Sequence, residues 1–350
     1  MEIENGGKEL CDSTLVDPSY VIHLIREMIP QSSCDEFDAR EDTAKDDPSA
    51  EAGCVLWDLA ANDSLARLMV DNYILDVILG ILQAPKSDRI REICLGILGN
   101  LAFHEELSGV IAENRELLST VVLQLFVTDA QTLVETCRLI NVGLHSKQME
   151  YWIGEINTQE TLEHILWIAE NTLNEQLVEK VLELLLTMVD SEKKTAAVFL
   201  PGLVKSGIVS LLAKLTTSQV EGITQGSILT GNVLESLLQV ALEVSLSVEF
   251  SGSIADDNEL TAAVFQVVHL SWKDEVGVAA VTAMVLVANL FSQKPALAKE
   301  VCEDAGFMER LLALKPLTED DDAASNALSS IIQRIEQQKR ESILEAQRIR

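Results

Sequence analysis

The stretch Gly96-Ile-Leu-Gly-Asn-Leu-Ala102 recurs along the chain in related forms. In each copy aliphatic residues fill most positions, and small or polar residues stand between them. The copies start at residues 54, 96, 138, 182, 238, 283 and 327, which gives intervals of 42, 42, 44, 56, 45 and 44 residues. Self-similarity at a nearly fixed period predicts a protein built from stacked structural units.

Each interval also contains a second apolar stretch whose aliphatic residues recur at helical spacing. These stretches are Ile74–Leu82, Leu117–Phe126, Thr161–Ala169, Ile208–Leu215, Leu260–Leu270 and Phe307–Leu314. Two to three helices in roughly 42–45 residues are typical of armadillo and HEAT repeats, which bury their apolar faces only against neighbouring repeats. The sequence therefore predicts an all-α, right-handed superhelical solenoid of about seven repeats.

The predicted solenoid extends over residues 51–338. Residues 1–50 are expected to be largely disordered and acidic, with one short helix, because residues 35–51 hold eight acidic and two basic residues. The single long interval predicts an inserted loop at about 216–231. Residues 339–350 are polar and are expected to extend the last helix.

The composition limits the classes of partner. A formal net charge of −30 repels nucleic-acid phosphates and anionic membranes, so we expect neither as a direct partner. Other proteins are favoured, especially basic segments or extended peptides. The most apolar run, Val276–Phe291, is shorter than the roughly 20 residues of a membrane span.

The six cysteines contain no CxxC pair, and the N-terminal residues are polar. We therefore expect neither disulfides nor structural zinc, and a nuclear or cytoplasmic rather than a secreted protein.

The segment Arg89-Ile-Arg-Glu-Ile-Cys-Leu-Gly-Ile-Leu-Gly-Asn-Leu-Ala102 resembles the serum amyloid A-like 1 protein family, an armadillo-like family. Val55-Leu-Trp-Asp58 and Leu133-Val-Glu-Thr-Cys-Arg-Leu139 are similar to the same family in the same order, so the resemblance covers about residues 51–145. It implies a nuclear or nucleocytoplasmic protein that is linked to cell proliferation and has no known catalytic residues.

Asn100 also resembles the asparagine that binds peptide backbones in the last helix of generic armadillo repeats. Adding the repeat intervals predicts that the equivalent positions lack asparagine, so an import-receptor type of asparagine ladder is not expected. These positions are Asp58, Val142, Leu186, Leu242 and Val287.

A polar groove is nevertheless possible in the first three repeats. Its candidate residues are Trp57, Asp58, Asn100, Glu135, Arg138 and Asn141. Two interpretations stay open. In one, these residues hold a short extended peptide, with Trp57 as an aromatic platform. In the other, Trp57 belongs to the core and the polar residues face water.

No motif predicts catalysis or a cofactor. Gly226–Gly231 has the glycine spacing of a phosphate-binding loop, but Asn232 and Val233 replace the required Lys and Ser/Thr. The histidines never pair at the spacing of metal ligands, and there is no GxSxG motif. The sequence thus predicts a non-enzymatic interaction scaffold without cofactor or metal. An acidic chaperone or transport adaptor for a basic cargo is the alternative.

Overall fold

The computed structural model describes residues 16–29, 48–85, 87–225, 232–270, 277–302, 304–319 and 321–348, and no strand occurs among them. Helix α1 (Pro18–Met28) comes first. Seven long helices follow, one for each predicted repeat: α2 (Pro48–Leu59), α5 (Asp88–Phe103), α8 (Ala130–His145), α11 (Glu175–Val189), α14 (Val233–Leu246), α17 (Val278–Gln293) and α20 (Asp322–Arg348).

Two further helices follow each of the first six long helices. The first is α3 (Asp63–Asp71), α6 (Glu105–Glu113), α9 (Met149–Ile156), α12 (Lys194–Lys205), α15 (Ser251–Asp256) or α18 (Pro295–Cys302). The second is α4 (Ile74–Gln83), α7 (Arg115–Leu123), α10 (Gln159–Asn171), α13 (Ile208–Thr224), α16 (Asn258–His269) or α19 (Ala305–Leu314). The prediction of an all-α solenoid of the armadillo type is confirmed.

Capping side chains mark the start of several long helices. Asp129 Oδ2 accepts a hydrogen bond of 2.8 Å from the N–H of Thr132 at the start of α8. Asn174 Oδ1 accepts one of 3.0 Å from the N–H of Leu177 at the start of α11. Each cap satisfies a backbone N–H that the first helical turn leaves without an intrahelical partner.

The chain divides into two compact units between Thr120 and Val121. In the first unit, α1 packs on α2, and α2 packs on α5. In the second unit, each of α8, α11, α14, α17 and α20 packs on the next, and α10, α13, α16 and α19 form a second row in the same way. Apolar side chains between these rows form the core of the second unit.

The register of the repeat can be read from burial. Seven buried positions of α5 are also buried in α8, α11 and α14. The interval between equivalent positions is 42 residues from α5 to α8, 45 from α8 to α11 and 56 from α11 to α14. In α11 they are Leu177, Val181, Leu182, Leu184, Leu185, Met188 and Val189. Six of the seven recur in α17 after a further 46 residues. The sequence alignment is therefore one residue out of register at α11 and α14, and two at α17.

One predicted boundary is wrong and others stay predictions. Helix α13 continues to Thr224, so residues 216–224 of the predicted loop 216–231 are helical. The phosphate-loop-like residues 226–231 lie outside the described residues, as does most of the predicted acidic linker. At the other end, α20 extends as one helix through the predicted 339–350 extension as far as Arg348.

Candidate functional site

The six predicted groove residues divide between the two units, three in each, and each trio is described by itself. In the first unit, Trp57 is half-buried and Asp58 is exposed in the last turn of α2. The indole of Trp57 lies against Gly96 of α5, where an added Cβ would come within 2.1 Å of Trp57 Cε2. Trp57 is therefore both a packing residue between two helices and a partly exposed aromatic surface.

Asn100 ties these two helices together. Its Nδ2 donates a hydrogen bond of 2.9 Å to the main-chain oxygen of Trp57. The carboxylate of Asp58 lies next along the chain, at the carboxyl end of α2, and is exposed to solvent. This arrangement presents an anionic group and an aromatic edge on a rigid helix pair.

In the second unit, the predicted trio lies on α8. Glu135 and Arg138 form an ion pair of 2.7 Å one turn apart, and both side chains are partly buried. Asn141 Oδ1 accepts a hydrogen bond of 2.7 Å from the hydroxyl of Thr187 on α11. Glu135 and Arg138 thus pair with each other along α8, while Asn141 joins α8 to the next long helix.

The register shows that the two interhelical hydrogen bonds join equivalent positions of the repeat, although the acceptor is a main-chain oxygen in one and a side-chain oxygen in the other. Trp57 and Asn141 occupy one position of the repeat, and Asn100 and Thr187 occupy another. In both units the side chain at the second position donates a hydrogen bond to the residue at the first position on the preceding long helix. This is a repeated polar tie.

The same register corrects the expected equivalents of Asn100. Leu186, Leu242 and Val287 do not occupy its position, and Val287 is fully buried. Thr187, Glu243 and Asn289 are the equivalents on α11, α14 and α17, because the burial pattern shifts the alignment by one or two residues. Polar residues therefore stand where leucine and valine were expected.

Sequence reasoning also missed the residues that occupy the positions of Glu135 and Arg138 on the following long helices. Lys180 and Glu183 of α11 occupy their two positions with the charges exchanged, and they form an ion pair of 2.8 Å. On α14, Gln239 occupies the position of Arg138 and donates a 3.3 Å hydrogen bond to Glu235. The polar surface of α8 therefore continues over α11 and α14.

Three histidines lie within hydrogen-bonding distance of main-chain oxygens. His104 Nε2 lies 2.9 Å from the oxygen of Ala60, and His145 Nδ1 lies 2.8 Å from that of Asn141. His164 Nε2 lies 3.0 Å from the oxygen of Leu125. Within the described ranges, no three His, Cys, Asp or Glu side chains are grouped so that they could hold a metal ion.

The buried thiols are held in their neutral form. Desolvation raises the pKa of the Cys137 thiol to about 12 and raises the pKa of Cys94 even further. Cys54 is half-buried, and its sulfur lies 3.3 Å from Nη2 of Arg89. The two fully buried cysteines therefore act as small apolar core residues.

Among the described residues, no single helix has the length and apolar character to cross a membrane. Two pairs of helices would reach that length only together, across sharp bends. They are Lys194–Lys205 with Ile208–Thr224, and Val278–Gln293 with Pro295–Cys302.

The SAAL1 proteins are similar to this chain over about half of its length. Protein saal1 of Danio rerio is 29% identical over 170 residues, which cover 48% of this chain and 36% of that protein. Protein SAAL1 of Homo sapiens is 28% identical over 174 residues, 49% of this chain and 37% of that protein. The matched region thus spans less than half of these relatives. The resemblance to the serum amyloid A-like 1 family is confirmed, and no family model matches the chain.

Solved structures agree on the fold. Computationally designed armadillo repeat proteins for modular peptide recognition match 77% of this chain and 99% of their own, with a TM-score of 0.56 and 12% identity. An engineered protein from a structural genomics consortium matches 90% of this chain and 78% of its own, with a TM-score of 0.55 and 16% identity. At such identities the likeness concerns the fold alone.

Proposed function

We propose that the chain is a non-enzymatic scaffold that binds extended segments of other proteins along the polar surface of its long helices. One observation carries this proposal: Arg138, Glu183 and Gln239 occupy one repeat position on α8, α11 and α14, which pack on one another in that order. A row of polar groups at a constant spacing is suited to a ligand whose own groups recur regularly.

The spacing fits an extended peptide. Packed helices lie about 8–10 Å apart, and an extended chain advances about 3.3 Å per residue, so each long helix meets about three residues of such a peptide. The ion pairs Glu135–Arg138 and Lys180–Glu183 are partly solvated. Glu183 is 47% exposed, and an ion pair in contact with water contributes little stability, so Lys180 and Glu183 can exchange each other for charged groups of the peptide at small cost.

In the first unit, Trp57, Asp58 and Asn100 form a second surface of the same kind. The Asp58 carboxylate would pair with a Lys or Arg of the partner, and the exposed edge of Trp57 would contact its aliphatic part. Asn100 would act mainly by holding α2 against α5, since its Nδ2 already binds the oxygen of Trp57.

The scaffold proposed here does not use the chain's buried thiols for chemistry. The thiols of Cys94 and Cys137 are buried with raised pKa values, so neither is a ready nucleophile. We further propose that the protein works in the nucleus or the cytoplasm, as the family resemblance implies, and imaging of a tagged chain tests this.

The net charge of −30 favours a second candidate, an acidic chaperone or transport adaptor for a basic cargo. Salt separates the two candidates. Binding through net charge is lost at about 0.5 M salt, because the screening length falls to roughly 4 Å. Binding through placed hydrogen bonds and apolar contacts persists.

The test is native co-purification with four single variants at low and high salt. Asp58→Ala and Arg138→Gln alter the two proposed surfaces. Glu113→Ala and Lys299→Gln are matched controls, because each removes an equivalent charge from an exposed residue on another helix. A scaffold retains a partner at high salt and loses it in a surface variant but not in its control. An adaptor loses its partner at high salt, and all four variants behave alike.

A further inference from the structure

A cavity of about 440 Å³ opens on the second unit, and none of its lining residues belongs to the polar surface described above. Its walls come from the start of α8, the end of α10 and the turn between α10 and α11. Leu133, Ile168 and Leu177 contribute buried apolar side chains, while Trp167 and Leu173 contribute exposed ones. Its size lies in the usual range of ligand pockets, about 300–1,000 Å³.

Trp167 is braced from behind by a stack of rings. Its ring centroid lies 5.3 Å from that of His164, which lies 4.4 Å from that of Phe126. The main-chain oxygen of Leu125 can only accept, so Nε2 of His164 donates the 3.0 Å bond that fixes the central ring. Even so, Trp167 is 56% exposed and Phe126 is 39% exposed. The wall is thus a preorganised aromatic surface in contact with water.

Leu173 stands in the turn between α10 and α11 and is 99% exposed. Hydrogen bonds on either side hold this turn. Asn171 Nδ2 donates to the oxygen of Trp167 at 2.8 Å, and the N–H of Asn174 donates to Thr172 Oγ1 at 3.1 Å. When a partner covers a water-exposed leucine beside an apolar cavity, the free energy of the complex falls by about 25 cal/mol for each Å² of apolar surface that is buried.

The charges around the cavity indicate the sign of the partner. Helix α10 and the first turn of α11 carry four glutamates, at 160, 163, 170 and 175, and no Lys or Arg. Glu163 and Glu170 lie about one helical turn before and after Trp167. Lys214 of α13 pairs with one of them, since its Nζ lies 2.6 Å from Glu170 Oε1. A second copy of this chain carries a net charge of −30 and is repelled as a whole, whereas a basic partner is attracted.

We propose that this cavity binds a basic amphipathic segment of a partner protein, with an aromatic or leucine side chain inserted beside Trp167 and Leu173. Lysine or arginine residues of the segment then lie close to Glu163, since Glu170 already pairs with Lys214. The site shares no residue with the polar surface, so it is a separate docking point and does not depend on that proposal. The rigid stack and the fixed turn reduce the entropy lost on binding.

The experiment selects ligands from a random peptide library displayed on phage, using the purified full-length chain as bait. Selected peptides are synthesised, and their affinities are measured by fluorescence anisotropy for the wild type, Leu173→Glu and Trp167→Ala. Val248→Glu is the matched control, because Val248 is also 99% exposed, in the turn after α14. Circular dichroism checks that all variants are folded, which full exposure of Leu173 leads us to expect.

The proposal predicts selected peptides that are net basic and carry an aromatic or leucine anchor. Their affinity falls by about tenfold or more in Leu173→Glu and Trp167→Ala and stays unchanged in Val248→Glu. Glu163→Gln weakens them by a few-fold at low salt and has less effect at high salt.

Any of three results overturns the proposal. The first is that no peptide is enriched, or that the enriched peptides bind Leu173→Glu as well as the wild type. The second is a set of cavity-dependent peptides without basic residues. The third is sedimentation that shows a wild-type dimer and a Leu173→Glu monomer, which assigns the cavity to a second copy of the chain.

Discussion

The side-chain nitrogen of Asn100 donates a 2.9 Å hydrogen bond to the main-chain oxygen of Trp57, and this bond joins α5 to α2. Thr187 and Asn141, at the equivalent positions of α11 and α8, form a 2.7 Å bond in the same direction. A position that suggested peptide binding in the sequence therefore also holds successive long helices together.

We expect Asn100→Ala to lower the free energy of unfolding by about 1–2 kcal/mol, because the oxygen of Trp57 loses a partner in a partly buried place. Chemical denaturation with circular dichroism measures the change. Asp58→Ala is the control, since an exposed carboxylate contributes within about 0.5 kcal/mol. Equal effects of the two substitutions would contradict a structural role for the Asn100 bond.

The contact between Gly96 and Trp57 makes a second prediction. In Gly96→Ala the new methyl group would meet the indole at 2.1 Å, so we expect the free energy of unfolding to fall by about 1–3 kcal/mol. Gly80 lies within α4 and has no atom within 4 Å of an added Cβ, so Gly80→Ala should be stabilising by up to about 1 kcal/mol.

Combining Gly96→Ala with Trp57→Leu should recover part of the loss, because the smaller side chain makes room for the methyl group. Failure of Trp57→Leu to rescue Gly96→Ala in the same denaturation assay would show that the indole is not the obstacle.

The cysteines should differ in reactivity. The thiolate is the reacting species, and burial raises the pKa of Cys137 to about 12 and raises that of Cys94 as well. Native alkylation at about pH 8 should therefore label Cys54 and spare Cys94 and Cys137, which become labelled in denaturant. Peptide mapping by mass spectrometry reads the result. Native labelling of Cys137 at the rate of Cys54 would contradict the packing of α8.

The same burial sets a pH dependence. The thiols of Cys94 and Cys137 ionise near pH 8.5 in the unfolded chain but stay neutral in the folded one, so their contribution to stability is complete below about pH 8.5. It declines as the pH rises towards the folded values. We expect the denaturation midpoint to fall between about pH 8.5 and pH 10, and less so in Cys137→Ala when each midpoint is compared with its own value at about pH 7. An identical slope in the two proteins would contradict this contribution.

The sequence predicted the seven long helices because their aliphatic residues recur with one period. The sequence alignment was out of register from α11 onwards, where polar residues occupy some of the buried positions. On α14, Ser245 is 1% exposed and its hydroxyl donates to the main-chain oxygen of Leu242. A hydroxyl that bonds the preceding turn is compatible with the core, yet it looks like a surface residue in an aligned sequence.

The candidate sites were less predictable than the helices. Glu135 and Arg138 could be named from α8 alone, but their counterparts Lys180 and Glu183 required the burial register. The cavity beside Trp167 left no signal, because its exposed leucine, Leu173, occupies a turn and its aromatic stack joins residues 126 and 164 from different helices. Such sites depend on tertiary packing rather than on local pattern.

In the proposed scaffold, specific side chains on the long helices, and not the net charge of the chain, bind the partner. The most direct measurement is the dissociation constant of a co-purified partner's peptide by calorimetry at about 0.5 M salt, for the wild type, Arg138→Gln and Lys299→Gln. We expect the peptide to bind the wild type and Lys299→Gln, with an affinity about tenfold lower for Arg138→Gln. Equal affinities for all three chains, or no binding to any of them at this salt concentration, would contradict it.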